Sequence, residues 1–432
     1  MTTTSQRLFI QALKENVLPA TGCTEPVAVA YAAATASAFI EKNTIKNVTV
    51  QVSPNIMKNA LAVIVPGTGE PGLAIAAAAG IIAGKPANGL KVINQIAPTD
   101  LPAIKQLASS GKITVEVASV EDDLYVEVRI ITEEDSAALY IAGGHTNIFK
   151  IEKNGQLIQN DPKPDPHALS ETKQALQDYN LKDIWDFSLE TPLDKIAFME
   201  EAGRLNMRLA TEGLTKNYGL KLGQSLNQAK AIDFGSGMEA NLSTKILAYS
   251  TAASDARMGG ASLPAMSNSG SGNQGISATV PVCVVAEHFA KSDEERIRAL
   301  TLSHLTAIYI HAFLPVLSAF CAADSAAMGS AAGISYLLTK NYDTAAAAIN
   351  NMAGDAPGMV CDGAGCACAM KVATAVSSMY RAVNLALQGI QIPASNGLVC
   401  QDVNDTIKGI GRLATEGLKV TDQTILSIMV NK

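Results

Sequence analysis

Aromatic residues make up only 5% of this 432-residue chain, and its 33 basic residues are outnumbered by 40 acidic ones, for a formal net charge of −7. The second scarcity removes the positive stripe that phosphate neutralisation in nucleic-acid binding requires, so a small-molecule partner fits better. The first, with abundant Ala and Gly and 48% hydrophobic residues, suits closely packed helices built from small side chains. The opening segment, MTTTSQRLFIQALKENVLPATG, carries Arg7, Lys14 and Glu15 and has no continuous apolar run, so no signal peptide is expected and the compartment expected is the cytoplasm. From Ala299 to Ala323 there is no formal charge, but His304, His311 and Pro315 interrupt the stretch and Ser and Thr recur in it. It reads as a buried core helix rather than a membrane span. Seven cysteines, an odd number, are better read as thiols, ligands or nucleophiles than as disulfides.

The order of segments predicts an α+β fold in two lobes. A short helix is expected near residues 5–16, and a longer Ala-rich one over Glu25–Ile40, where Pro26 in the first turn forfeits no hydrogen bond. NVTVQVS, ALAVIVP, KITVEVAS and LYVEVRIIT are rich in β-branched residues, and the last two alternate apolar with polar, as strands of a half-exposed sheet do. Between them PGLAIAAAAGIIAG and TDLPAIKQLASS look helical. The proline-rich stretch NDPKPDPHALSE (160–171) places the lobe boundary, giving a mixed α/β lobe with a small sheet over 1–165 and a mainly helical lobe over 166–432. Helices dominate from about Leu193 onward, with Gly/Ser-rich turns at DFGSGMEA, DARMGGA and SNSGSGNQG.

Chemistry concentrates in a few places. MVCDGAGCACAMKV holds Cys361, Cys366 and Cys368, and Cys321 lies 40 residues upstream in a helical context. Thiolates from a turn and a neighbouring helix can close on one metal centre, although the spacing is neither a zinc ribbon nor a ferredoxin run, and buried cysteines packing as small hydrophobes are the alternative. Cys23 precedes the helix start at Glu25–Pro26, where free backbone N–H groups and the helix dipole favour an anion; its thiolate fraction is expected to rise, which suits a base. Lys58 and Asn59 in SPNIMKN offer a point charge and an amide donor to a carboxylate. In SNSGSGNQG, Ser269, Gly270, Ser271, Asn273 and Gln274 offer hydroxyl, amide and accessible backbone N–H groups, an anion nest without the Gly-Lys-Ser/Thr of a phosphate loop. Cys283, in VPVCVVAE, reads as core, and Cys400 as buried or surface filler. His145, His288, His304 and His311 lack metal-ligand spacing and read as core or surface histidines.

Taken together, TGCTEP (21–26), SPNIMKN (53–59), SGSGNQGISATVPV (269–282), CAADSAAMGSAAGI (321–334) and CDGAGCACAMK (361–371) resemble the L-cysteine desulfidase family, which is related to the α-region of iron–sulfur L-serine dehydratases. The likeness spans nearly the whole chain. It implies a [4Fe–4S] cluster on three cysteines spaced by 40 and 7 residues, which here are Cys321, Cys361 and Cys368, with Cys366 as an extra thiol that leaves a swap with Cys368 open. It also implies Cys23 as the catalytic base. The activity implied is non-redox elimination from a small amino acid, converting L-cysteine to sulfide, pyruvate and ammonia, with L-serine dehydratase activity as the nearest rival. Three ligands on four irons leave one iron open, the hallmark of a metal site that binds substrate. A non-catalytic iron–sulfur sensor is the rival of another class, and no basic recognition helix stands out to serve one. The active site is expected where the lobes meet, with helix 25–40 packed against the helical lobe; a homo-oligomer is left open.

Overall fold

The computed structural model describes residues 3–41, 45–166, 169–228, 241–317 and 319–431. In chain order the first part holds α1 (Thr3–Asn16), β1 (Pro19–Ala20), α2 (Thr24–Ser37), β2 (Asn47–Val52), α3 (Pro54–Ala60), α4 (Leu73–Ala83), α5 (Leu101–Ser109), β3 (Ile113–Val117), β4 (Tyr125–Ile131), β5 (Ser136–Ala142), β6 (Ile148–Lys153) and β7 (Gln156–Asn160). The rest is helical, with α6 (Glu171–Leu176), α7 (Leu181–Glu190), α8 (Leu193–Ile196), α9 (Glu200–Thr215), α10 (Leu222–Asn227) and α11 (Leu242–Met258). After β8 (Ala265–Met266) come α12 (Gly272–His288) and α13 (Asp293–His311), then β9 (Phe320–Cys321), α14 (Ala323–Thr339), α15 (Tyr342–Asp355) and β10 (Met359–Val360). The chain finishes with α16 (Cys368–Leu387), α17 (Val403–Arg412) and α18 (Lys419–Val430). The α+β expectation is met.

Six strands form one sheet in the order β3-β2-β4-β5-β6-β7, parallel only between β2 and β3. The alternation in NVTVQV does what its period dictates: Val48, Val50 and Val52 are buried. ALAVIVP is not a strand. Its first residue ends α3, and only Ile64 forms an isolated bridge, to Pro71, because Pro66, Gly67 and Gly69 turn the chain before a partner strand can pair. The alanine richness is spent on close helix approach: a Cβ added at Gly80 of α4 would lie 2.1 Å from the Ala30 carbonyl oxygen of α2.

Two placements depart from expectation. The body of α2 packs on α4, β4 and β5, and only its first turn reaches the helical part, because its Ala face matches the small residues of α4. Conversely, α1 buries Phe9, Ala12 and Leu13 among Leu176, Ile184 and Phe187 of the helical core. The charge-free stretch divides between buried α13 and the start of α14, and no helix among the described residues is long and apolar enough to cross a membrane. DARMGGA closes α11 and SNSGSGNQG leads into α12, whereas the turn expected at 233–240 lies outside the described residues.

Candidate active site

Two helix starts face one cavity. Cys23 is the N-cap of α2, and Ser271 is the N-cap of α12, where its hydroxyl accepts the Gln274 N–H. They are tied together where Thr24 Oγ1 donates to the Gly270 carbonyl at 3.0 Å. Ser269 (φ 47°) and Gly270 (φ 81°) take the left-handed conformation that turns the chain into α12. The loop is anchored from beneath by His304. Asn268 Nδ2 donates to His304 Nδ1 at 3.1 Å, so Nε2 carries the ring proton and donates to Thr279 Oγ1 at 2.9 Å, which itself donates to the Gly275 carbonyl.

That chain needs a neutral imidazole, and burial pushes the His304 pKa down to about 3. An unfolded histidine titrates near 6.5, so between about pH 6.5 and 3 the unfolded state binds the extra proton and stability falls as the pH drops. At pH 5 this one group is expected to cost about 2 kcal/mol. Thermal unfolding at pH 7.5 and pH 5 checks it: His304→Gln should show a smaller loss of Tm on acidification than the unaltered protein.

The thiols come from three elements. Cys321 ends β9, and Cys361 follows β10, which pairs with β9 through Met359 opposite Cys321; the Cys361 N–H donates to the Ala319 carbonyl at 2.6 Å. Cys368 opens α16. Cys321 donates its S–H to Cys361, and this bond, with the Lys58 and Lys371 ammonium groups and the Gly363 N–H, outweighs burial and holds Cys361 down to about 6. The same bond and burial push Cys321 well up. Burial also raises Cys368.

Cys321, Cys361 and Cys368 line a cavity of about 110 Å³ together with Cys23, Asn59, Ser271, Asn273 and Gln274. Among the described residues no three His, Cys, Asp or Glu side chains close on a single ion. The three thiols instead stand around the walls of a shared space, a donor set that fits a polynuclear iron–sulfur group better than one ion. Cys366, Lys58, Ser269 and Gly270 are not part of the lining. Cys283 is core, as expected, and Cys400 lies elsewhere, its N–H held by Thr406 Oγ1.

Cys23 departs from the helix-start expectation. It is 3% exposed, and its Sγ donates to Glu25 Oε2 at 2.8 Å; burial and the Glu25 charge raise its pKa well above the ordinary thiol value, against the opposing pull of Arg257. Burial works against the Glu25 carboxylate too, but His145, the Cys23 S–H and Arg257 together hold it below the usual range. Its Oε1 also accepts from Asn59 Nδ2 at 3.1 Å. Glu25 and Arg257 are the lining residues that sequence reasoning passed over, one read as a helix start and the other as part of a turn. His311, read as an ordinary histidine, lines the cavity as well.

Lys58 was expected to hold a substrate carboxylate. Its side chain is 1% exposed and donates to Asp422 Oδ1 of α18 at 2.5 Å and to the Cys361 carbonyl at 3.3 Å, away from the cavity. Asp422 Oδ2 accepts the Ala319 N–H at 2.8 Å, so this ion pair braces both cysteine-bearing strands. Asp422→Asn removes the carboxylate charge that this buried ammonium pairs with at 2.5 Å and is expected to cost about 3 kcal/mol, read as a lowered denaturation midpoint.

The family model described as serine dehydratase alpha chain matches residues 88–427. The span holds Cys321, Cys361, Cys368 and the 267–275 loop, and begins after Cys23, Glu25 and Asn59. A UPF0597 protein of Latilactobacillus sakei is 62% identical over 98% of this chain and 98% of its own length. UPF0597 proteins of Chromobacterium violaceum and Actinobacillus pleuropneumoniae are 47% and 44% identical, covering 98% and 99% of this chain and 97% and 98% of their own lengths. Those names state no activity, but the family match and the thiol-walled cavity agree on kind: the chain belongs to the serine dehydratase alpha chain family.

Proposed function

We propose that this protein is a [4Fe–4S]-dependent L-cysteine desulfidase, releasing sulfide from a small amino-acid substrate to leave pyruvate and ammonia. The observation that carries the reading is the gathering of four thiols on one cavity, three of them from strand and helix ends and the fourth, Cys23, hydrogen-bonded to a carboxylate at a helix start. Cys321, Cys361 and Cys368 would hold the cluster, which when bound supplies a Lewis acid through an iron without a protein thiolate. Ser271, Asn273, Gln274 and Asn59 orient the amino acid. Cys23 takes the Cα proton: its raised pKa makes the thiolate scarce at neutral pH but a correspondingly strong base, which a weakly acidic Cα–H requires. Glu25 Oε2, at 2.8 Å from Cys23 Sγ, is the acceptor that holds the thiol proton in line. The Cα–H electrons form the Cα–Cβ double bond as hydrosulfide leaves, and the released aminoacrylate tautomerises to an imine and hydrolyses. No net electron transfer occurs. The free thiols and the reaction suit a cytoplasmic enzyme.

The second reading is L-serine dehydratase activity, favoured by the description of the family model, since the same proton abstraction serves a hydroxide leaving group. Anaerobically reconstituted protein should release sulfide from L-cysteine with a higher kcat/KM than it forms pyruvate from L-serine. The reverse order selects the second reading, and no product from either amino acid on cluster-loaded protein defeats both.

A further inference from the structure

We propose that Arg257 is the anchor for the substrate's α-carboxylate, and that the cavity is built for the zwitterionic end of an α-amino acid; the substrate class rests on the elimination reading, whereas the carboxylate anchor is tested separately. Arg257 ends α11, is 4% exposed and lines the cavity. Among the described residues its guanidinium meets two acceptors, the Gly22 carbonyl at 3.1 Å and Met258 Sδ at 3.2 Å, and no carboxylate lies within ion-pair distance. Five N–H donors on a permanent charge are thus poorly matched in the interior, where an unpaired charge is costly, and an anion entering the cavity would correct this.

The guanidinium has a built seat. It lies against Gly272, the first residue of α12, where an added Cβ would come within 2.2 Å of Nε. This places the charge beside the N-terminus of a 17-residue helix whose dipole has the same preference for anions. Two buried oxygens in the same lining complete the other end of the ligand. Gln274 Oε1 and Asn59 Oδ1 have no hydrogen-bond partner among the described residues, and Glu25 supplies a negative charge nearby. Amide oxygens and a carboxylate accept from an ammonium; a guanidinium and helix N–H groups donate to a carboxylate. An α-amino acid carries both groups, one carbon apart.

L-Alanine has both groups and no leaving group, and alaninamide lacks the carboxylate, so calorimetry with the two on cluster-loaded protein isolates the anchor from turnover. Arg257→Lys is expected to weaken L-alanine by about 10- to 100-fold and alaninamide by less than about 2-fold, since the bidentate geometry is lost while positive charge remains. Gly272→Ala, which unseats the guanidinium without removing it, should give the same pattern, and equal melting temperatures certify the fold. The proposal is overturned if wild-type protein does not bind L-alanine, if either variant keeps its L-alanine affinity, or if both probes weaken equally. Wild-type protein that shows the binding pattern but forms no product from cysteine or serine sinks the elimination reading and leaves the anchor standing. Unchanged KM for L-cysteine in Arg257→Lys sinks the anchor alone.

Discussion

Alanine at Cys368 is expected to strip iron and sulfide from the anaerobically reconstituted protein, whereas alanine at Cys366 leaves both in place. The two thiols are separated by one residue, and residue spacing alone does not divide them. Position in the fold does: Cys368 opens α16 on the cavity wall and packs against the small cluster of Cys23, Val63 and Met258, and Cys366 stands outside the lining. Loss of one thiolate from three leaves a cluster with two protein ligands, and the matching loss of activity should reach at least about 1,000-fold, the scale on which removing an essential catalytic group is felt. The absorption spectrum with iron and sulfide analysis reads the result. Iron retained in Cys368→Ala and lost in Cys366→Ala would move the third ligand to Cys366.

Cys23→Ala is expected to lower kcat by about 100- to 10,000-fold, the usual contribution of a positioned base, with iron and sulfide content unchanged. The contrast with Cys368 is the point of the experiment, since both thiols line one cavity and only their roles separate them. Full turnover in Cys23→Ala with an intact spectrum removes Cys23 from the reaction. Loss of iron along with activity makes Cys23 a ligand instead of a base.

What could be read from the residues was whatever local chemistry decides. The alternation in LYVEVRIIT, the β-branched run NVTVQVS and the alanine run after Pro26 are each settled within a few residues, and the corresponding strands and helix are where they were expected. ALAVIVP failed because β-branched composition does not supply a partner strand. The α2 packing failed because the sequence shows a small-residue face without saying which neighbour shares it. Among site residues, Cys23 at its helix start, Asn59 in SPNIMKN and Ser271, Asn273 and Gln274 in SNSGSGNQG carry reactive or polar groups in short distinctive runs, and all five line the cavity. Lys58 was misplaced because its partner, Asp422, lies 364 residues away and nothing near Lys58 announces it. Cys23 was given the pKa of an exposed helix start, whereas burial and Glu25 reverse the sign. Arg257 was hidden by looking ordinary, since a basic residue in a last turn is what the helix dipole favours on any surface.

The Lys58–Asp422 brace also imposes an order in time. Lys58 emerges early in synthesis, but the carboxylate that neutralises it and holds the Ala319 strand is made 364 residues later, a delay of about 20–70 s at ribosomal rates of about 5–20 residues per second. Until then the two strands bearing Cys321 and Cys361 lack this clamp. Maturation of the thiol cavity therefore waits on the synthesis of α18.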